Sequence, residues 1–361
     1  MGFDPLEGEA LRCETLSLAG ASANLNSKTP LAASGGYPPY QFAFVGAAPG
    51  STALDPDTGL LTAGDELGKG TVEVTDAGGC TARGEIAIGG STLFYVGGTF
   101  NSVPSSDVWR STDGRVWEQV GQLPEARYWG GLVVLDNRLL WIAGNDGGNQ
   151  RNEIYETTDG VTWNEVGTTP FVSNAFGFTM HQGKLVISGG YNNSDNVYAT
   201  DNGLDWTLVG HLPMENHGGS LVSIGGQLIY AGGHNGNLFD WVLASSDGAS
   251  WTQIGTLAVP REYHTGIRID GKMWLIGGQN TTPTPIDDVT ETGDGVTWQP
   301  IARLPVARAL GAVVEFGDRV WSFGGSNSAG VYSLAGNAWQ VETTNFPPRQ
   351  AGLVARFTPQ N

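Results

Sequence analysis

A chain of 361 residues with 40% hydrophobic side chains is long enough for two folded domains and too apolar to be disordered throughout. Its formal net charge is -18, and only four lysines (Lys28, Lys69, Lys184, Lys272) stand among 18 basic residues, which excludes nucleic acid as an expected partner. No apolar run approaches the roughly 18 to 20 residues that cross a bilayer, so no membrane insertion is expected. High Gly (55 residues) and Trp (12 residues) suit many short strands, tight turns and one large aromatic per repeating unit, not a helical bundle.

In chain order, residues 1–11 read as a linker start or a disordered segment. Residues 12–90 read as short alternating strands, ETLSL, YQFAFV, GTVEVTD and GEIAIG, separated by Gly and Pro clusters. The run ASGGYPPYQFAF, then LDPDTGLLTAG, then VEVTDAGG, resembles the bacterial Ig-like domains that recur as spacers in large secreted and surface proteins, which implies a small β-sandwich. Asp55 and Asp57 are expected to serve turns and not calcium. Cys13 and Cys80 fall near the first and last strands of this region, and both a disulfide and a pair of buried thiols fit the sequence.

From residue 91 to 361 a short apolar strand ending in a glycine-rich pair recurs six times: LFYVGG, LLWIAGN, LVISGG, LIYAGG, MWLIGG and VWSFGG. The spacing of roughly 43 to 47 residues is that of a four-stranded propeller blade. Each copy continues through a further strand and a tight turn to a tryptophan: Trp117, Trp163, Trp206, Trp251, Trp298 and Trp339. These rings are expected between blades. A segment such as LPEAR or LPVAR follows, and then a small-residue strand that would be the innermost of the next blade. The first copy lacks such a strand, and the C-terminal PPRQAGLVARF has the right pattern to supply it, which would remove free sheet edges.

The glycine pairs, the downstream Trp and the Arg that opens the inner strand resemble kelch propellers over about 270 residues. The expected fold is therefore all-β: a six-bladed kelch-type β-propeller (91–361) closed by a C-terminal strand, behind a small N-terminal Ig-like β-sandwich (12–90). The hairpin before each Trp also resembles the Asp-box, S-x-D-x-G-x-x-W. Thr200-Asp201-Asn202-Gly203-Leu204-Asp205-Trp206 is read as the copy with full spacing, while those at Asp113, Asp159, Asp247 and Asp294 lack one residue and Ala335 replaces the sixth Asp. A structural turn is expected there, with Asp capping amides and Gly at positive φ.

Propellers generally bind ligands where the loops entering the inner strands meet the loops that follow the glycine pairs. Aligned on the inner strand, Arg127, Ser173, Asn216, Arg261, Arg308 and Arg349 are equivalent. Four guanidinium groups near one axis would form a positive funnel for a carboxylate, sulfate or acidic sugar, or would brace neighbouring blades. Beside them stand Tyr128, Trp129, His217, Glu262, Tyr263 and His264, with Asn145, Asp146, Tyr191, Asn192, His234, Asn235, Asn280 and Asn327 on the glycine-pair loops. Aromatic faces beside amides suit sugar rings.

The expected role is a monomeric, secreted or cell-surface binding module for carbohydrate or another anionic ligand, glycan or protein, with any leader lying outside this sequence. No cofactor is expected. A copper oxidase of the galactose oxidase type would need a Cys near its Tyr ligand, and residues 91–361 contain none. A sialidase would need an Arg-Ile-Pro motif that is missing, and Glu262 and Tyr263, adjacent on an extended strand, would point to opposite faces. Sialic-acid mutarotases are six-bladed kelch proteins, so ring opening of a sugar by Glu262, His217 or His264 is the enzymatic alternative. The five histidines show no metal-ligand spacing, so no metal is expected.

Overall fold

A computed structural model of the chain describes residues 13, 16–25, 27–49, 52–64, 68–89, 92–192, 194–280, 284–336 and 338–359. The expected linker start at 1–11 lies outside them. The chain is all-β and divides into two compact units, one built on the residues before Thr92 and one from Thr92–Val133 and Arg138–Ala355. Among the described residues no helix is long and apolar enough to cross a membrane.

In the first unit a four-stranded sheet runs in the order Ala21–Ala23, Thr81–Ile88, Gly68–Thr75, Gln41–Val45, and a three-stranded sheet in the order Lys28–Pro30, Leu60–Thr62, Ala53–Leu54. Strand alternation turns Val72, Val74, Ile86 and Ile88 inward onto Phe42 and Leu61. Cys13 and Cys80 form a disulfide across 67 residues of sequence, which resolves the open choice and restricts the unfolded chain. Asp55 Oδ1 accepts the N–H groups of Asp57 and Thr58, and Asp57 accepts a bond from Gln41. Both aspartates therefore serve a turn. The Thr58 N–H, with help from the Thr58 side chain, holds the Asp55 carboxyl below its ordinary range.

Among the described residues the second unit contains six four-stranded sheets, five of them built from consecutive antiparallel strands. The first sheet is the exception: its order is Glu118–Gln122, Asp107–Ser111, Thr92–Val96, Leu353–Phe357, so the end of the chain supplies the strand that the start lacks. The inner strands of the other five are Gly131–Leu135, Gly177–His181, Ser220–Ile224, Thr265–Ile269 and Ala312–Phe316. Apolar cores join the third sheet to the fourth, the fourth to the fifth and the fifth to the sixth, and the sixth shares one with the first, where Trp321, Phe323 and Val331 meet Leu93, Tyr95 and Trp117. The repeating tryptophans join these inter-sheet cores, with Trp251, Trp298 and Trp339 alongside three further ones.

Two cycles of backbone bonds run through the six sheets. Just before each inner strand, one residue takes positive φ: Trp129, Ala175, Gly218, Tyr263, Leu310 and Ala351. Each donates its N–H to the carbonyl of the preceding one, Ala175 to Trp129, Gly218 to Ala175, Tyr263 to Gly218, Leu310 to Tyr263, Ala351 to Leu310 and Trp129 to Ala351, at 2.7–3.0 Å. The chain of bonds closes on itself. In the second cycle the last residue of each glycine pair donates to the next sheet, as Gly98 does to the Arg127 carbonyl at 2.8 Å and Gly325 to the Arg349 carbonyl at 2.8 Å. This close approach accounts for the repeated glycines: a Cβ on Gly97, at φ 64, would lie 2.3 Å from the Arg127 carbonyl oxygen.

The turn before each Trp is uniform in five sheets. Asp113, Asp159, Asn202, Asp247 and Asp294 each accept two following backbone N–H groups, each two residues after a Ser or Thr whose hydroxyl also bonds the turn. The expected register of the third copy is corrected here: Asn202 is its capping residue, while Asp201 pairs with Lys184 on the surface. All five turns therefore share one spacing. Burial pushes the Asp159 carboxyl up, but the N–H groups of Thr162 and Val161 bring it down to about 2.

Candidate functional site

Six residue pairs surround the entrances to the inner strands, because the residue before each positive-φ position bonds the residue after each glycine pair. Tyr128 and Asn145 exchange two backbone bonds, as do His217 with His234, Glu262 with Gln279, and Gln350 with Thr99. Tyr191 donates to Asn174, and Ser326 to Ala309. Such cross-strand partners place side chains next to one another at fixed register.

Aromatic rings from four sheets meet here. Trp129 and Tyr263 are three steps apart in the six-membered cycle, hence opposite, and their rings stack at 5.5 Å with planes 2° apart. Tyr191 stacks on Trp129 at 6.0 Å and on His217 at 3.9 Å, its hydroxyl lies 2.7 Å from that of Tyr263, and Tyr128 leans on Trp129 at 4.9 Å. All five rings are half-buried. Below them is a cavity of about 280 Å³ lined by the inner strands of all six sheets, including Gly130, Phe176, Gly219, Thr265, Gly311 and Gly352. The opposed Trp129 and Tyr263 border one end of it. Tyr263 has φ 53, so the alternation argument that would separate it from Glu262 does not apply: the extended strand starts only at Thr265.

The arginines do other work. Arg127, with no exposed side-chain surface, donates to Glu125 at 2.9 Å, Glu153 at 3.0 Å and the Tyr155 hydroxyl at 2.8 Å. Arg261 bonds the Gly277 carbonyl and Asp288, and Arg308 bonds the carbonyls of Gly324 and Gly330 while lying over the Tyr332 ring. Arg349 pairs with Asp107 at 2.7 Å. Asn216 substitutes for arginine by donating to the Gly232 carbonyl at 2.8 Å and accepting the His234 N–H. Of the two roles open to these arginines, their contacts fit bracing: Arg261 and Arg308 meet glycine-pair carbonyls, and Arg127, Arg261 and Arg349 meet carboxylates of neighbouring strands and turns. Burial pulls the Arg308 guanidinium down to about 10.

Two imidazoles and a carboxylate adjoin the aromatic cluster. His217 Nε2 and His234 Nδ1 are 3.3 Å apart, and together with a Glu262 carboxylate oxygen their ligand atoms lie within 4.8 Å of one another. Burial, with His234 beside it, pulls the His217 imidazole down to about 4, so it is neutral at pH 7. Burial and then the Arg261 charge bring His264 to about 3, and this buried ring lines the cavity below. Gln279 was not among the sequence candidates, yet its amide donates to Glu262 Oε1 at 2.9 Å. The register between the residue after Arg and the residue after the glycine pair is the signal that finds it. No protein-family model and no curated protein matches the chain.

Proposed function

We propose that this chain is a secreted or cell-surface recognition module, a six-bladed kelch-type β-propeller with Asp-box-like hairpins behind an Ig-like β-sandwich, that holds carbohydrate on its ring of half-buried aromatic side chains. The carrying observation is the convergence of Tyr128, Trp129, Tyr191, His217 and Tyr263 beside polar Asn145, Asp146 and Gln279 at the strand entrances. Aromatic faces stack on the C–H faces of a pyranose while amides and carboxylates take its hydroxyls. The closed hydrogen-bond cycle supports the propeller reading, and the Cys13–Cys80 disulfide is consistent with an oxidising compartment.

The buried arginines alter the ligand class within this reading. With the guanidinium groups bonded inside the fold, and with Asp146 already paired to Arg151, the face presents no free cation among the described residues, so a neutral glycan fits it better than an acidic one. The test is an array of immobilised neutral and sialylated glycans probed with the full chain. Neutral structures should be retained, and Trp129→Gly should weaken retention at least tenfold, about 1.4 kcal/mol, as loss of a central aromatic anchor does. Glycine suits that backbone position, since Gly218 holds the same place in the fourth sheet. Retention that Trp129→Gly leaves unchanged would sink the proposal. Faster anomer exchange of a retained sugar would instead favour the sugar-active enzyme, with Glu262 and His217 as the proton-moving groups.

A further inference from the structure

We propose that His217, His234 and Glu262 form a binding site for a divalent transition-metal ion. For a tetrahedral ion with metal–nitrogen bonds of about 2.0–2.1 Å, adjacent ligand nitrogens lie about 3.3–3.4 Å apart. His217 Nε2 and His234 Nδ1 are already 3.3 Å apart. That separation is long for a bond between two imidazoles and right for two ligands of one ion. The Gly236 N–H lies 3.3 Å from His234 Nδ1, so this nitrogen is unprotonated, and an ion bound there would displace that weak contact to take its lone pair.

Glu262 adds the third ligand. Only 9% of its surface is exposed, and among the described residues it makes no ion pair; the neutral Gln279 amide donates to its Oε1. A carboxylate in that setting lacks a compensating positive charge, which a bound cation provides. A turn of the Glu262 side chain brings its oxygen into range, and Gln279 supplies the outer hydrogen bond that orients a ligating carboxylate. Isolated backbone bridges hold His217 beside His234 and Glu262 beside Gln279, where the chain enters and leaves two neighbouring sheets. Two imidazoles and one carboxylate suit zinc and its neighbours in the transition series better than calcium or magnesium, and they leave a fourth position for water or a ligand atom.

The metal site shares His217 with the carbohydrate reading but does not depend on it. The test is zinc titration by calorimetry on the metal-stripped full chain, with cobalt(II) absorption as a second readout. The wild type should take up one equivalent, and cobalt should give the visible spectrum of a four-coordinate site. His234→Ala should lower affinity at least 100-fold and Glu262→Gln at least 10-fold, whereas His211→Ala, an exposed ring paired with Asp195, should bind as the wild type does. Thermal melts of each variant verify folding, and His234 lies on a partly exposed loop where its removal spares the core. Absence of one-to-one binding by the wild type, or unchanged affinity in folded His234→Ala or Glu262→Gln, overturns the site. Glycan retention without zinc binding defeats only the metal site, and zinc binding without retention defeats only the glycan reading.

Discussion

Deleting the chain from Ala351 onward is expected to destabilise the second unit by more than about 4 kcal/mol and to lower its melting temperature by roughly 8 °C or more. The deletion strips Thr92–Val96 of its inner neighbour, since Leu353–Phe357 is the only strand of the first sheet not contributed by the start of that unit. It also removes Phe357, which is fully buried, and Ala351, which is a member of the hydrogen-bond cycle. Burying a phenylalanine alone contributes about 1.5–3 kcal/mol, and the exposed edge left behind invites association with other chains. Calorimetry and light scattering on the truncated chain measure both effects. A synthetic peptide covering residues 349–359 should restore part of the lost transition. Wild-type melting of the truncated protein would show that the terminal strand is dispensable.

Arg127→Ala is expected to cost about 1–3 kcal/mol, the loss associated with leaving a buried polar group, here the Tyr155 hydroxyl, without its hydrogen-bond partner. The change leaves Glu153 without its near neighbour and the Tyr155 hydroxyl without its donor. That hydroxyl sits where burial has already pushed its phenol up to about 12. Arg127→Lys should recover only part of the loss: an ammonium can meet the oxygens that one guanidinium nitrogen now meets, but it lacks the second nitrogen that bonds the Ala126 carbonyl and the flat group that lies over the Tyr155 ring. Chemical denaturation measures stability and the glycan array measures function on the same protein. Loss of binding should track the unfolded fraction and no more. A variant that melts like the wild type yet fails to bind would show that the guanidinium contacts ligand directly.

The sequence exposes the six sheets because the close approach between neighbours leaves no room for a Cβ at Gly97, Gly189, Gly232, Gly277 and Gly324, so glycine recurs with the period of the fold. The completing strand is legible for a related reason: PPRQAGLVARF repeats a pattern whose only vacancy is in the first sheet. Arginine position is legible too, but its task is not, since a sequence fixes which residue stands at a site and not which way a long side chain turns. Arg308 meets the Gly324 and Gly330 carbonyls only after the strands around them have formed. Histidine ligand spacing fails for a similar reason. His217 and His234 are 17 residues apart in sequence, and cross-strand register, not local periodicity, makes them neighbours. Tyr263 misleads sequence reasoning because its positive φ breaks the alternation expected of an extended segment.

The proposed propeller depends on the cycle in which Trp129, Ala175, Gly218, Tyr263, Leu310 and Ala351 pass one hydrogen bond around to its starting point. Native-state hydrogen exchange followed by NMR at these six amides is its most direct test. If the circle is closed, all six protons exchange together with the buried strand amides of Leu139–Ile142, at the rate set by opening of the whole unit. A single member exchanging as fast as the exposed turn amides of Gly225 and Gly226 would mean that the circle is open there.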